Sequence, residues 1–351
     1  MRTASSLATF FFVACPAPAP APNEPPAATY PEPTGTLVYA VGDGPKGTAT
    51  RALPLPAGQP SRLVLPHGFA FPGPADPMGT HAVIVALDVD PASQASTERL
   101  LLAPLDATSV AEPLALAGGA ALVRSPVWSP DGAFLVFESS ANSFRDLYRV
   151  ARSGGEVTRL TDAPHGSFEP AISPDGLTLA FGSSRDGNAE VYTQPLAGGL
   201  ARRLTDNVAD DRAPDWRPDG ARLAWLATRD GHARVWTMAP DGTDAAPLRE
   251  GTTEDLHFAW SPDGRFLAVA TQTAPDDVDL VVYDAVRGLQ IGAFTGPDIT
   301  EQPAWSPDSR WLAFFATHDG NADLYIAHPD GTEVRRLTSD PKPEWLPRWV
   351  P

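Results

Sequence analysis

A repeat of 44 residues runs through most of this chain, and no other property of the sequence restricts its fold as much. Trp128, Ile172, Trp216, Trp260, Trp305 and Trp349 form a column whose successive members lie 44, 44, 44, 45 and 44 residues apart. Five of them are followed by a turn: Ser129-Pro130-Asp131-Gly132, Ser173-Pro174-Asp175-Gly176, Arg217-Pro218-Asp219-Gly220, Ser261-Pro262-Asp263-Gly264 and Ser306-Pro307-Asp308-Ser309. Proline presets φ at the second position and the Ser and Asp side chains fold back onto the backbone, which is type I turn chemistry. A short apolar run follows each turn, as in Phe134-Leu135-Val136-Phe137 and Leu223-Ala224-Trp225. These runs are too short for helices and too apolar for an exposed face. A Gly/Asn turn leads to a third strand, in which an aromatic recurs 20 residues after the column (Tyr148, Tyr192, Trp236, Tyr325). A fourth, such as Arg159-Leu160-Thr161 or Arg336-Leu337-Thr338, completes the unit. Four short strands per repeat make one blade of an all-β propeller.

The two ends of the array complement each other. The chain finishes on Arg348-Trp349-Val350-Pro351, a first strand with nothing behind it, and the array begins near Thr34 with strands that lack a first one: Leu37 to Ala40, Ala49 to Leu53 and Arg62 to Leu65. Joined, they make one blade and close the ring without an open edge. A degenerate blade follows, from Phe69 through His81 to Leu87, Leu100 to Leu102 and Pro113-Leu114. The expected fold is therefore a propeller of seven four-stranded blades over residues 34 to 351, or six if the degenerate stretch is an insertion. At fixed strand positions the Trp and Tyr residues read as wedge-filling side chains. The group Asp276, Asp277 and Asp279 reads as a solvated loop, since no calcium-loop spacing accompanies it.

Ahead of the repeats stand two segments outside the fold. Residues 1–14 read as a signal peptide: Arg2, then a short apolar stretch Leu7 to Ala14. Phe12-Val13-Ala14-Cys15 resembles the bacterial lipoprotein cleavage box, with Phe12 in place of its usual Leu, and this resemblance implies lipidation at Cys15. An ordinary export signal is the alternative. Residues 15–33 are rich in Pro and Ala and read as an extended tether. Cys15 is the sole cysteine, so no intrachain disulfide can form. With 26 basic against 43 acidic residues, a formal net charge of −17, the chain is unsuited to nucleic acid or to an anionic membrane surface. Membrane association is expected only through a lipid, and the propeller is expected to be monomeric.

The recurring string Pro-x-Trp-Ser-Pro-Asp-Gly, then an apolar strand, Arg-Asp-Gly-Asn, Leu-Tyr and Arg-Arg-Leu-Thr resembles the Pro-Asp variety of WD-type repeat in the TolB-like β-propeller family. The likeness is strong over residues 126–351 and weak over 35–120. It implies a non-catalytic, envelope-associated binding protein with partners such as a peptidoglycan-associated lipoprotein. Family members carry an α/β domain before the propeller and are usually drawn with six blades, whereas here a tether precedes the repeats.

Within such a ring the loops entering the first strands converge on one channel mouth, so equivalent positions become neighbours. The residue three before each column member is Ser125, Glu169, Ala213, His257, Gln302 or Leu346; just upstream lie Arg124, Asp210, Asp211, Arg212, Asp255, Glu301 and Glu344. This set varies where the scaffold is uniform. From it the candidate partner-binding rim is Arg124, Glu169, Asp211, Arg212, Asp255, His257, Glu301, Gln302 and Glu344. No cofactor and no catalytic residues are expected. Related repeats do occur in prolyl-oligopeptidase-like hydrolases and in metal-dependent lyases acting on pectate fragments. The first need a Gly-x-Ser-x-Gly elbow, which this sequence lacks. For the second, His257 and Gln302 stand where ligands are expected, but Glu169 and Ala213 stand where further nitrogen ligands would be. A propeller lyase or hydrolase with a site at the channel mouth is thus the alternative reading.

Overall fold

The computed structural model of the chain describes residues 31–350 apart from 43–46, 57–60, 66–68, 90–95, 106–111, 115, 118–121, 143, 276, 296–301 and 319. The signal segment, Cys15, most of the tether and Glu301 lie outside the described residues. Seven antiparallel sheets form a ring, with no helix among the described residues. Blade 1 pairs the C-terminal strand Glu344–Val350 with Gly35–Gly42, followed by Thr48–Leu55 and Arg62–Leu65. Trp349 lies opposite Leu37 and Val350 opposite Thr36, so the ring closes as the complementary ends predict. Blade 2 comprises Phe69–Ala75, His81–Val89, Ser96–Pro104 and Glu112–Pro113. The degenerate stretch is therefore a true blade and the count is seven.

Blades 3 to 7 begin with the inner strands Val123–Trp128, Ser167–Ile172, Asp211–Trp216, Glu254–Trp260 and Ala304–Trp305. Blade 3 carries one extra strand, Leu116–Ala117, added parallel to its outer strand Gly155–Arg159. Inner strands of neighbouring blades lie against one another around the ring.

The core is divided rather than single. Seven apolar clusters occupy the seven gaps between neighbouring blades, for example Trp311, Leu324, Leu37 and Trp349 between blades 7 and 1. Aromatics nine and twenty residues after the column face each other across the two middle strands: Phe137 with Tyr148, Phe181 with Tyr192, Trp225 with Trp236 and Phe314 with Tyr325, all with centroids 5.9 to 6.1 Å apart. Offset aromatic pairs of this kind add about 0.5–1.5 kcal/mol beyond their area. The column Trp residues also stitch blade to blade. The indole N–H of Trp128, Trp216 and Trp305 donates to the carbonyl of Pro74, Ala171 and Ala259 in the preceding inner strand, at 3.2, 3.2 and 3.0 Å.

Two further sequence patterns acquire a physical cause. In the Ser-Pro-Asp-Gly turns the Ser hydroxyl bonds the Asp carboxylate and accepts the amide that opens the next strand, as Ser129 does for Asp131 and Phe134. Blade 2 reaches the same turn with Asp76-Pro77-Met78-Gly79, where the buried Asp76 carboxylate accepts the amides of Thr80 and His81 and pairs with Arg152 of blade 3 at 2.6 Å. The Arg-Leu-Thr ending of the repeat clamps the outer strand. Arg159 and Thr161 both donate to buried Asp146, Arg203 and Thr205 to Glu190, and Arg336 donates to Asp323. One expectation is corrected. Asp277 and Asp279 are not loop residues; they open the strand Asp277–Asp284, because the hairpin of blade 6 is extended to nine- and eight-residue strands. The residues just ahead of the first strand are docked, with Arg335 pairing Glu32 at 2.7 Å and Trp311 donating to the Pro31 carbonyl at 3.1 Å.

Candidate functional site

The position three before the column is a β-bulge in the inner strand. Register breaks fall there in blades 1, 3, 4 and 5, and Ser125, Glu169, Ala213 and Leu346 take φ of 47 to 53°. Non-glycine residues at positive φ cost on the order of 1–3 kcal/mol unless the surroundings impose them. Here each precedes a proline (Pro126, Pro170, Pro214, Pro347), which cannot donate to the ladder, so the strand bends at this point. The turned-out amides are taken by acids of the preceding blade: Glu169 N–H donates to Glu138 at 2.8 Å and Ala213 N–H donates to Glu169 at 2.7 Å. Glu138 is buried and is also bonded by Arg145 at 3.2 Å. In blade 6 the break falls between Asp255 and His257, leaving His257 paired with Ala270.

Above the bulges an arc of polar side chains crosses blades 4 to 7 and ends on blade 1. Arg212 stands 4.0 Å from Glu169. Arg348 donates to the Gln302 amide oxygen at 2.6 Å. His257 feels both guanidiniums, and its basicity falls below the ordinary range through desolvation first, then through Arg348 and Arg212. Desolvation raises the Glu169 carboxyl, against the pull of the Ala213 amide and Arg212. The arc is thus locally cationic on a chain of net charge −17. It is built to accept hydrogen-bond-accepting or anionic groups rather than a metal cation, which Arg212 and Arg348 would repel. Among the described residues no three His, Cys, Asp or Glu side chains gather as a metal-binding group.

The remaining rim candidates are placed differently. Asp211 is fully buried and held by both terminal nitrogens of Arg229, at 2.7 and 3.0 Å, and by Asn207. Asp255 is buried and accepts from Val235 N–H, Arg249 and Thr271. In blade 5 Arg234 occupies the place of the clamp acid, and Asp255 of the next blade supplies the missing acceptor. Glu344 is 2% exposed, one of its oxygens lacks a hydrogen-bond partner, and burial pushes its carboxyl up to about 7. These three side chains face the blade interior. Arg124 is exposed, 3.7 Å from Glu98. Glu301 falls outside the described residues.

Two residues one before the column were not singled out in the sequence: Asp215 in blade 5 and Arg348 in blade 1. Their counterparts are Val127, Ala171, Ala259 and Ala304, so two charges in an otherwise small apolar column were the available signal. Asp215 keeps open surface and stands on the innermost strand of blade 5, which places it on the wall of the central channel. Burial among protein atoms pushes it up to about 7.

The family described as Tricorn protease N-terminal beta propeller domain matches residues 143–279. Among curated relatives, the "Uncharacterized peptidase YuxL" of Bacillus subtilis is 37% identical over 71 residues, 20% of this chain and 11% of that protein. The Tol-Pal system protein TolB of Syntrophus aciditrophicus is 33% identical over 55 residues, 15% of this chain and 12% of that protein. The matched segments thus span about a tenth of each relative's length. Among solved structures, TolB from Acinetobacter baumannii superposes with a TM-score of 0.58 at 19% identity, covering 90% of this chain and 82% of that one. An oligogalacturonate lyase in complex with manganese superposes at 0.62 with 15% identity, covering 87% and 86%. At such identities the superpositions establish the fold alone. Repeat sequence, blade architecture and these matches together show a seven-bladed β-propeller and support a likeness to the TolB-like propellers.

Proposed function

We propose that this propeller is an exported, envelope-associated binding protein that recognises a protein partner through the cationic arc at its channel mouth, without catalysis of its own. The observation that carries the reading is that arc: Arg212, Arg348, His257 and Gln302, on bulged inner strands, present hydrogen-bond donors around an opening in an otherwise acidic protein. The matches to TolB supply the envelope context, and a peptidoglycan-associated lipoprotein is the partner they suggest. Export and lipidation at Cys15 belong to the same proposal.

The lyase reading keeps support from the fold likeness, and His257 with Gln302 at the mouth is the residue pair that favours it. Two guanidiniums beside His257 weigh against a divalent cation there. Metal analysis of the purified protein separates the readings: a stoichiometric metal lost on His257→Ala supports the lyase, whereas an unchanged trace content in both proteins supports binding alone. Crosslinking in an envelope fraction should capture a peptidoglycan-associated lipoprotein, and its absence from the crosslinked products counts against the Tol-like role. Cys15→Ser should release the protein from the membrane fraction; retention there would refute the lipid anchor.

A further inference from the structure

Arg348 and Asp215 are charged channel residues that no counter-ion among the described residues neutralises. Both stand one residue before the column, on inner strands of blades 1 and 5, three blades apart by the shorter way round the ring. The column between and around them is small and apolar: Val127, Ala171, Ala259 and Ala304. Among the described residues neither forms an ion pair. Arg348 is bonded to the neutral amide oxygen of Gln302, and Asp215 is influenced, besides burial, by the Trp216 amide alone. An unpaired charge enclosed by protein costs several kcal/mol of desolvation, and such groups concentrate where a ligand supplies the missing partner. Six other enclosed acids, Asp76, Asp146, Glu190, Asp211, Asp255 and Asp323, are each paired with an arginine, and Glu344 is the exception. The channel pair departs from that habit.

The two sites have opposite sign, and neither group feels the other's charge. On the Arg348 side, Gln302 fixes the guanidinium, and His257 and Arg212 enrich the positive field. On the Asp215 side a carboxylate stands at the same register of the channel wall, unpaired among the described residues. We propose that the channel binds a short peptide with both termini free, its carboxylate held by Arg348 near the mouth and its ammonium received by Asp215. A carboxylate on a guanidinium and an ammonium on a carboxylate are both charge-assisted contacts, the strong class of hydrogen bond. The peptide has to span from blade 1 to blade 5, and each added residue extends its reach by about 3.3–3.6 Å. The narrow apolar wall between the charges accommodates backbone and small side chains. Desolvation of both groups agrees with this: burial alone drives the Arg348 guanidinium down and the Asp215 carboxyl up, each toward its neutral form, and a zwitterion reverses both.

The inference rests on the channel being the binding end, and its test is separable from partner binding. Diglycine, triglycine and tetraglycine, with N-acetyl and C-amide forms of each, are titrated calorimetrically into the full exported chain at low salt, up to millimolar concentration. At least one free peptide should saturate the protein, and either cap should weaken it tenfold or more. In Asp215→Asn the N-acetyl cap should cost nothing further, and in Arg348→Gln the C-amide cap should cost nothing further, with thermal melts confirming that both variants are folded. If Arg348→Gln does not fold, Asp215→Asn with the capped peptides still decides the matter. Absence of saturable binding by every free peptide, or equal affinity for free and capped forms, overturns the proposal. Should the peptides fail while the purified lipoprotein partner binds, the channel inference falls and the rim reading stands; should both fail, both fall.

Discussion

Truncating Trp349 to alanine tests whether the terminal strands hold the ring closed. Trp349 is 9% exposed, packs among Leu37, Tyr39, Leu53 and Trp311, and donates its indole N–H to the Thr34 carbonyl at 2.9 Å. It differs from Trp128, Trp216 and Trp305, which donate to the preceding blade, in tying the C-terminal strand to the N-terminal side of its own blade. Loss of a buried Trp side chain costs about 3–5 kcal/mol, from removed apolar burial and the cavity left behind. Because the same residue joins the two chain ends, little of that loss is recovered by relaxation. Trp349→Ala should lower stability by about 3–5 kcal/mol in guanidinium unfolding followed by far-UV circular dichroism. The loss should equal or exceed that of Trp305→Ala, whose indole is spent inside the array. Deleting residues 344–351 removes the whole ladder with Gly35–Gly42 and should leave a ring that no longer unfolds in one sharp transition. A loss below about 1 kcal/mol for Trp349→Ala would refute closure through this residue.

Other consequences follow from buried charge. Glu344, raised from 4.5 to about 7, stabilises the fold while protonated, so its contribution is full below pH 4.5 and is lost as pH rises through 7. At about 1.36 kcal/mol per pH unit this amounts to about 3 kcal/mol, and Glu344→Gln should flatten the stability profile between pH 5 and 8 relative to the parent; parallel profiles would contradict it. Asp146→Ala removes the buried acceptor of Arg159 and Thr161, leaving Arg159 on the exposed Asp162, and should cost about 1–3 kcal/mol by the same denaturation assay, whereas a change within 0.5 kcal/mol would show that the clamp is dispensable. Asp215→Asn should stabilise the unliganded protein at pH 8 more than at pH 5, read as melting temperature, since the aspartate ionises unpaired as pH rises; an equal shift at both values would argue against its enclosure.

The blade count and the closure were legible because the turn chemistry is local: Ser-Pro-Asp-Gly fixes its own geometry whatever surrounds it. Blade 2 was harder to read because Ala75 replaces the column Trp and Asp76 replaces the turn Ser, although the Pro77 and Gly79 positions persist. The rim was legible only as a region. Proximity to the start of an inner strand does not say which face a side chain takes, and the alternation of the strand turns Asp211, Asp255 and Glu344 into the blade. Asp255 illustrates the limit, since its role depends on Arg234 having displaced an acid in the neighbouring blade, a relation between residues 21 positions apart. The bulge at Glu169 and Ala213 is likewise a matter of register between strands, which no single segment encodes. Asp215 and Arg348 could have been found by aligning the repeats one position before the column.

Whether the channel mouth is the functional surface is decided by titrating the purified peptidoglycan-associated lipoprotein of the same organism against the parent protein, Arg212→Glu, and a control, Leu200→Asp. Leu200 is 94% exposed beside the outer strand Arg202–Arg203, far from the channel. Saturable binding that weakens at least tenfold in Arg212→Glu and is unchanged in Leu200→Asp is the expected result. Binding that is absent in the parent, or equal in Arg212→Glu, would contradict the assignment of the mouth as the recognition surface.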